Sequence, residues 1–145
     1  MKSSNTKPLL NAKYPATREG VAAALSDLDR LPIPSGWPDA LPNTLRLAIE
    51  ELSINAVDYG GQSPVDGWFA VRISEAPNII ELMVDDAGKP FDTSQSGEPD
   101  LGAPIDERAI GGLGLHLVRS LAKHFSYQRI HNLNRTIVIF NSVPS

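Results

Sequence analysis

The stretch "IDERAIGGLGLHLVRSL" (residues 105–121) places Gly111, Gly112 and Gly114 directly before a segment with helical periodicity. Glycine permits positive φ and lets another group approach the backbone closely. The N-terminus of a helix presents unpaired N–H groups and a partial positive charge. The stretch therefore predicts either an anion site, most often for phosphate, or a plain turn before a helix. The glycines alone leave both interpretations open.

Two well-known phosphate-binding loops do not match this stretch. A Walker A loop needs Gly-Lys-Ser or Gly-Lys-Thr after its first glycine, and no such triplet follows here. A dinucleotide-binding fingerprint that starts at Gly112 would need glycine or alanine at position 117, where Leu117 stands. A phosphate site at these glycines would therefore be of another kind.

The bulk composition limits the class of protein and its partners. The chain has 145 residues, a net charge of −4 and no cysteine. Its length predicts one domain, and its mild acidity argues against direct binding to nucleic acid. The lack of thiols excludes disulfides, thiolate metal sites and cysteine nucleophiles. The first residues do not read as a signal peptide, and no apolar run reaches the ~20 residues that span a bilayer. We expect a cytoplasmic protein without a membrane partner.

Hydrophobic periodicity predicts both helices and strands. Apolar residues recur at helical spacing over 15–31, 43–61 and 112–124, with Pro15 in the first turn of the first helix. They alternate in two strands within 67–86, around a turn at 76–78, and in two final strands near 126–131 and 135–141. The interval 32–42 is predicted to be a loop. These elements predict an α+β fold, a two-layer α/β sandwich with helices on one face of a mostly antiparallel sheet.

The second predicted helix contains "EELSINAVDYG" (50–60), in which Glu51 and Asn55 are one turn apart. Both border the apolar stripe that runs from Leu45 to Tyr59. The amide oxygen of Asn55 suits Mg²⁺, which keeps waters and takes phosphates as further ligands. The carboxylate of Glu51 suits a base that accepts a proton from an attacking hydroxyl. The alternative is that Glu51 is a solvated helix charge and Asn55 a satisfied polar residue.

The stretch "VDDAGKPFD" (84–92) follows an apolar strand. Asp86 lies where that strand ends, and Gly88 would let a flat group lie against the backbone. A carboxylate accepts hydrogen bonds only, so it can select an exocyclic amino group such as that of adenine. The alternative is a surface turn with an exposed acid. Residues 86–110 form a connector of a length that is usually functional or disordered.

The order of these segments resembles the GHKL, or Bergerat-fold, ATP-binding superfamily. "EELSINAVDYG" is similar to its N box, "DAGKPFD" (86–92) to its G1 box and "GGLGLHLV" (111–118) to its G2 box. Residues 93–110 then resemble the ATP lid. Within the superfamily the chain looks most like the small anti-sigma factor serine kinases of the RsbW type. The resemblance implies a single ATP-binding domain over 1–145.

The resemblance implies a role for each matching residue. Glu51 would be the catalytic base, and Asn55 would bind ATP through Mg²⁺. Asp86 would bind the adenine amino group, and Gly88 would make room for the base. At the start of the last helix, Gly112 and Gly114 would line the phosphates with bare main chain. The backbone N–H groups of Leu113 and Leu115 would donate hydrogen bonds to the phosphates.

The family implies a protein serine/threonine kinase. It would phosphorylate a STAS-type anti-anti-sigma partner and would also bind a sigma factor or another regulatory protein. A second possibility is a non-catalytic module that uses ATP to control binding to a protein. A third is a structural domain without nucleotide. A homodimer is expected from the resemblance alone, since the sequence has no interface signature.

Some positions depart from the family pattern. Tyr59 stands where these kinases often have histidine, and Asp58 where histidine kinases usually have a basic residue. Because an acid cannot neutralise phosphate, a cation must come from elsewhere, and Lys89 and Arg108 are candidates. The three histidines are expected to lie on the surface or on a helix face and not to accept phosphate: His116, His124 and His131.

Overall fold

The computed structural model of the chain describes residues 6–63, 65–95 and 112–144. Within these residues the chain forms five strands and three helices. In chain order they are β1 (Lys7–Pro15), α1 (Arg18–Asp29), α2 (Leu41–Tyr59), β2 (Trp68–Ala76), β3 (Ile79–Asp86), α3 (Gly112–Leu121), β4 (His124–Ile130) and β5 (Leu133–Asn141).

The five described strands form one antiparallel sheet in the order β1-β2-β3-β5-β4. β3 lies in the centre, where Val84 pairs with Val71 of β2 and with Thr136 of β5. α1 packs on β1 and α2, and α2 packs on β2, β3 and α3. The prediction of an α+β fold, a two-layer α/β sandwich on a mostly antiparallel sheet, is confirmed.

The hydrophobic core fills the space between the sheet and the helices. Phe69, Ile73 and Leu82 of the sheet are fully buried there, and so are Leu45 and Ile49 of α2. Burial of a side chain of this size contributes about 1.5–3 kcal/mol. Alternate residues of the strands and the residues on one face of α2 therefore point into the same core, and this fixes the orientation of α2 on the sheet.

The first helix differs from the prediction of 15–31. α1 begins after Thr17, whose Oγ1 accepts a hydrogen bond from Gly20 N at 3.0 Å. Pro15 is not in the helix, because it ends β1 and pairs with Trp68 of β2. β1 has no counterpart among the predicted strands. It is an edge strand with a single neighbour, and only one of its residues is buried. The alternation between buried and exposed side chains that identifies a strand is therefore weak.

The second helix covers Leu41–Tyr59 and starts two residues before the predicted 43–61. Pro42 is accommodated because it lies in the first turn, where its missing N–H has no helical partner. The loop predicted over 32–42 is correspondingly shorter. The apolar stripe is confirmed in its buried part, but Tyr59 is 46% exposed and lies outside the core.

The third helix ends at Leu121 rather than at 124. Lys123 N already donates to Ile139 O of β5 at 2.7 Å, so the chain has joined the sheet at that point. β4 and β5 are therefore each longer than the predicted 126–131 and 135–141. A two-residue turn with positive φ connects them, as is common in tight β-hairpins.

The lid predicted at 93–110 lies mostly outside the described residues, as do Arg108 and Gly111. Only its first positions, Thr93–Gln95, are described. The assignment of 1–145 to one ATP-binding domain stays a prediction. Among the helices of the described residues, none is both long and apolar enough to cross a membrane.

Candidate functional site

Glu51 of α2 lies directly against the backbone of Gly114 in α3. A Cβ atom added at Gly114 would lie 2.5 Å from Glu51 Cδ and 2.7 and 2.8 Å from its two carboxylate oxygens. Any side chain at this position would therefore displace the carboxylate. The close neighbour at Gly114 is thus Glu51, and the contact with phosphate that the sequence predicts at this glycine stays a prediction.

The carboxyl group of Glu51 is held in a partly desolvated position. Burial raises its pKa above the ordinary value, and the neighbouring charge of Glu50 raises it further. A carboxylate with a raised pKa binds a proton more firmly once it is charged. Glu51 therefore has the electrostatic character of a general base.

Asn55 lies one turn after Glu51 and is only 9% exposed. It lines a small cavity beneath α2, and its side chain makes no hydrogen bond to another residue that the structure describes. Buried amides are normally paired, so an amide in this state is available to a ligand. Its oxygen suits Mg²⁺ if phosphates and waters supply the other ligands.

The cavity that Asn55 lines is bounded by α2, β3, β5 and the segment after β3. Its walls combine apolar side chains such as Leu52 and Val84 with the polar side chains of Asp86 and Thr136. Its volume is about 10 Å³, room for about one water molecule. A purine ring is larger than one water, so binding of a nucleotide base here requires a shift of at least one wall.

Asp86 presents a carboxylate oxygen to this cavity. Its Oδ1 accepts hydrogen bonds from Gly88 N at 2.8 Å and from Asn134 Nδ2 at 3.0 Å. Its Oδ2 accepts none from the residues that the structure describes. Burial raises the pKa of Asp86, although the two hydrogen bonds and the charge of Arg129 partly oppose this effect. A carboxylate oxygen of a half-buried side chain, which only accepts hydrogen bonds, fits an exocyclic amino group.

Asn134 of β5 organises the turn after β3. It is 4% exposed, and its amide nitrogen donates to Asp86 Oδ1 and to Lys89 O at 2.7 Å. Its amide oxygen accepts from Phe91 N at 3.1 Å and from the Tyr127 hydroxyl. Sequence reasoning missed this residue. The only signal was a lone asparagine at an inward position of an alternating strand.

Gly88 is required by close packing of two backbones. An added Cβ would lie 2.7 Å from Gly60 Cα and 2.8 Å from Gly60 O, and neither atom can rotate away. Lys89 N also donates to Gly60 O at 2.9 Å. The turn after β3 is thus joined to the end of α2. Contact of Gly88 with a nucleotide base stays a prediction.

The start of the predicted lid is tied to the sheet and to α3. The Thr93 and Thr136 hydroxyls are 2.7 Å apart and share a hydrogen bond. Arg119 of α3 donates from Nη1 to Thr93 O at 2.8 Å. Sequence reasoning missed all three residues, because hydroxyls and one arginine at these spacings have no distinctive pattern.

Tyr59 and Phe91 form a stacked pair next to the cavity. Their ring centroids are 5.4 Å apart and the planes differ by 9°. Phe91 lines the cavity, whereas Tyr59 is the more exposed of the two. Tyr59, predicted as a member of the core stripe, thus packs on the turn after β3 instead.

The structure shows the surroundings of Asp58, whose charge departs from the family pattern, and of Lys89, a candidate cation. Asp58 pairs with Arg18 of α1 at 3.0 Å, so its negative charge is locally compensated. Exposed pairs of this kind contribute little to stability. The Lys89 side chain lies over Gly61, since an added Cβ there would be 2.7 Å from Lys89 Cε. Its role as a phosphate cation stays a prediction, and Arg108 lies outside the described residues.

The predicted positions of the histidines fit the structure. His124 and His131 are exposed, and His131 lies in the β4–β5 turn with φ of 52°. His116 is half-buried on α3.

The first turn of α3 contains the predicted phosphate-binding main chain. The helix begins at Gly112, so the N–H groups of its first four residues lack partners within the helix. Leu113 is 52% exposed and Leu115 is buried. No acidic residue of α3 itself lies in this first turn, and the carboxylate that approaches it is that of Glu51 from α2.

The comparison with known proteins identifies the family of the chain. Residues 14–141 match the family model of the histidine kinase-like ATPase domain. The chain belongs to the histidine kinase-like ATPase family. It is 33% identical to the serine-protein kinase RsbW of Bacillus pumilus, over 86% of this chain and 81% of that protein. The resemblance to the GHKL superfamily and to kinases of the RsbW type is therefore confirmed.

Two further relatives support the same placement within the histidine kinase-like ATPases. The serine-protein kinase RsbW of Bacillus subtilis is 28% identical over 81% of this chain and 76% of its own length. The serine/threonine-protein kinase BtrW of Bordetella bronchiseptica is 26% identical over 83% and 85%. The residues that match the family model, 14–141, include α2, β3 and α3 and therefore all the site residues.

We expect Gly88→Ala to destabilise the fold by about 1–3 kcal/mol, because the new methyl group overlaps the main chain of Gly60. Gly36→Ala is the matched control. A Cβ at Gly36 meets nothing within 4 Å, so its effect should stay within about 0.5 kcal/mol. Urea denaturation measures both. Equal stabilities of the two variants would contradict the packing described for Gly88.

Asp86→Asn should weaken binding of Mg·ATP by at least about 30-fold, equal to about 2 kcal/mol, because an amide nitrogen would then face the adenine amino group or Gly88 N. Asp85→Asn is the control for the loss of charge, since Asp85 pairs with Arg135 on the other face of the sheet. Isothermal titration calorimetry measures both affinities. Unchanged affinity in Asp86→Asn would show that the adenine binds elsewhere.

Proposed function

We propose that this chain is an ATP-dependent protein serine/threonine kinase that phosphorylates a STAS-type anti-anti-sigma partner. The observation that carries the proposal is the position of Glu51. Its partly desolvated carboxylate lies against Gly114 at the start of α3, one turn from the amide of Asn55, which makes no hydrogen bond to another described residue. A base, a metal ligand and a helix N-terminus therefore lie together, as phosphoryl transfer requires.

Each residue has a distinct task in the proposed reaction. When bound, Mg·ATP would supply the phosphoryl group, and its metal ion would neutralise negative charge on the phosphates. Asn55 would hold the metal ion through its amide oxygen, and Asp86 would hold the adenine amino group. The main chain from Gly112 to Leu115 donates hydrogen bonds to phosphate oxygens. Glu51 would accept the proton of the serine hydroxyl on a carboxylate oxygen while the hydroxyl oxygen attacks the terminal phosphorus of ATP. The bond from that phosphorus to its bridging oxygen breaks, ADP leaves and a phosphoserine ester forms.

The relatives support the kinase assignment at the level of the family. RsbW and BtrW proteins named as serine or serine/threonine kinases are 26–33% identical to this chain. The STAS partner and the sigma factor, or another regulatory target, belong to the proposal. Phosphorylation of the STAS partner would add negative charge at the interface and weaken its complex with this chain. The cytoplasmic location and the homodimer stay predictions.

A non-catalytic, ATP-gated binding module is the second candidate. The small cavity favours it, because a volume of about 10 Å³ means that binding of a base must move a wall. Such a movement could alter the surface that a protein partner contacts. This module would need the nucleotide but would not need Glu51 as a base, so the two candidates differ in their response to one substitution.

Glu51→Gln should reduce phosphate transfer to the STAS partner by about 10²–10⁴-fold, because the amide cannot accept the proton. Its affinity for Mg·ATP should change by less than about threefold, since the amide retains the shape of the carboxylate. Radiolabelled phosphate transfer and calorimetry measure the two effects. The adjacent Glu50→Gln is the matched control and should retain transfer.

Two outcomes would reject parts of this proposal. Transfer by Glu51→Gln at the wild-type rate would remove Glu51 from the chemistry. Binding of Mg·ATP without transfer to any STAS protein of the same organism would favour the gated module. In that case Glu51→Gln should release the partner as the wild type does.

The rate of transfer should fall as pH decreases through the raised pKa of Glu51, at a higher pH than an ordinary glutamate would give. Glu50→Gln should move this fall to lower pH, because it removes a charge that raises the pKa. Initial rates at saturating substrates across pH measure both. An unchanged profile in Glu50→Gln would contradict the electrostatic coupling.

The raised pKa of Glu51 affects the stability of the fold in the opposite direction to the transfer rate. A carboxyl group with a raised folded pKa binds protons more strongly in the folded state, so stability falls as pH rises from the unfolded to the folded pKa. At neutral pH the charged Glu51 therefore lowers stability. Glu51→Gln should melt at the same temperature as the wild type or higher, which calorimetry can check. A lower melting temperature would indicate that Glu51 stabilises the fold.

A further inference from the structure

Three leucines form an exposed row along α3. Leu113, Leu117 and Leu121 are spaced four residues apart and are 52%, 47% and 54% exposed. On the inner side of the same helix, Leu115 and Val118 are buried. This leucine row is therefore separate from the face that holds α3 in the core. Side chains at this spacing lie one above the other.

The leucine row begins beside the catalytic carboxylate. Leu117 and Leu121 follow Gly114 by three and seven residues, so they lie on the same side of α3 as this glycine. Gly114 itself contacts Glu51. The row therefore runs from the position of Glu51 toward the end of α3, along the side that faces α2.

The facing side of α2 is also apolar around Glu51. Leu47 and Ile54 precede and follow Glu51 by four and three residues, so the three side chains share one side of the helix. Both apolar residues are half-buried and pack against the core. The carboxylate of Glu51 thus has apolar neighbours on its own helix and on α3, which agrees with its partial desolvation.

At its far end the leucine row reaches a surface pocket between the start of α2 and the end of α3. The pocket has a volume of about 160 Å³ and is lined by Leu121, Leu41 and Phe140 among others. A pocket of this volume accepts a single apolar side chain. The apolar surface thus extends from the Glu51 region to a defined depression.

We propose that the leucine row and the pocket beyond Leu121 form the docking surface for the STAS-type protein that presents the acceptor serine. This inference rests on the proposed kinase function. A serine hydroxyl must come within hydrogen-bond distance of Glu51, so the protein that carries it must cover the neighbouring surface of α2 and α3. The partner surface that fits is apolar, with one side chain that enters the pocket.

The apolar character of the row defines how the partner is recognised. The side chains of the row are uncharged, so affinity there comes from burial of apolar surface and depends little on salt. An apolar centre surrounded by a polar rim is the usual composition of a specific protein interface. The row therefore supplies affinity, and Glu51 supplies the chemistry.

The test uses Leu117→Ser and Leu121→Ser, singly and together, in the full chain. Leu113 is left unchanged because its N–H group is assigned to the phosphates. Ile33→Ser is the matched control, since Ile33 is 44% exposed in the segment between α1 and α2. The probes are the purified STAS-domain proteins of the same organism, with Mg²⁺ and a non-hydrolysable ATP analogue present.

In the double variant the Kd for the STAS protein should rise by at least about tenfold, as expected for residues at the centre of an interface. The KM for the STAS protein should rise by a similar factor. The kcat at saturating STAS protein and the affinity for Mg·ATP should stay within about twofold of the wild-type values, because the double variant alters no residue of the proposed catalytic and nucleotide sites. Ile33→Ser should leave all four values unchanged.

Several results would overturn the inference. One is a double variant that binds the STAS protein as tightly as the wild type. Another is a double variant that changes only from dimer to monomer in light scattering, because the row would then join two copies of this chain. Failure of every STAS protein to bind the wild type would also reject it. If a STAS protein binds but receives no phosphate, the kinase proposal fails and the docking surface is still judged by the variants.

Discussion

The close approach of α2 and α3 is the constraint on which the site depends. Because Gly114 has no side chain, the carboxylate of Glu51 can lie against the start of α3. The proposed base is thereby held beside the start of a helix whose first N–H groups lack partners within that helix, and Asn55 follows one turn later on α2. The buried inner residues of α2 and α3 fix both helices on the sheet, so the packing of the core sets the geometry of the chemistry.

A second set of contacts fixes the opposite end of the cavity. Asn134 holds Asp86 and the main chain of the following turn, and Gly88 packs against the end of α2. Phe91 is held by its N–H group to Asn134, while its ring stacks on Tyr59. The main chain of the turn is therefore tied both to β5 and to the end of α2. Side chains at the edge of the cavity have to move if a base is to enter, since the cavity has room for about one water molecule.

Much of the fold and part of the site follow from the sequence. The long apolar stripe of α2, the alternation in β2, β3 and β5, and the glycines before α3 are strong local signals. Glu51, Asn55, Asp86 and Gly88 could be selected because their order matches a known family. β1 could not, because an edge strand with a proline near each end and polar residues between its apolar ones resembles a loop. Asn134 and the Arg18–Asp58 pair could not, because their partners are 48 and 40 residues away in the chain.

A crystal structure with Mg²⁺ and a non-hydrolysable ATP analogue tests the central claim most directly. We expect the adenine amino group at Asp86, the metal ion at Asn55 and the phosphates at the first turn of α3. The carboxylate of Glu51 should face the terminal phosphate. An analogue bound at another surface, or a cavity that stays closed at saturating nucleotide, would contradict the account.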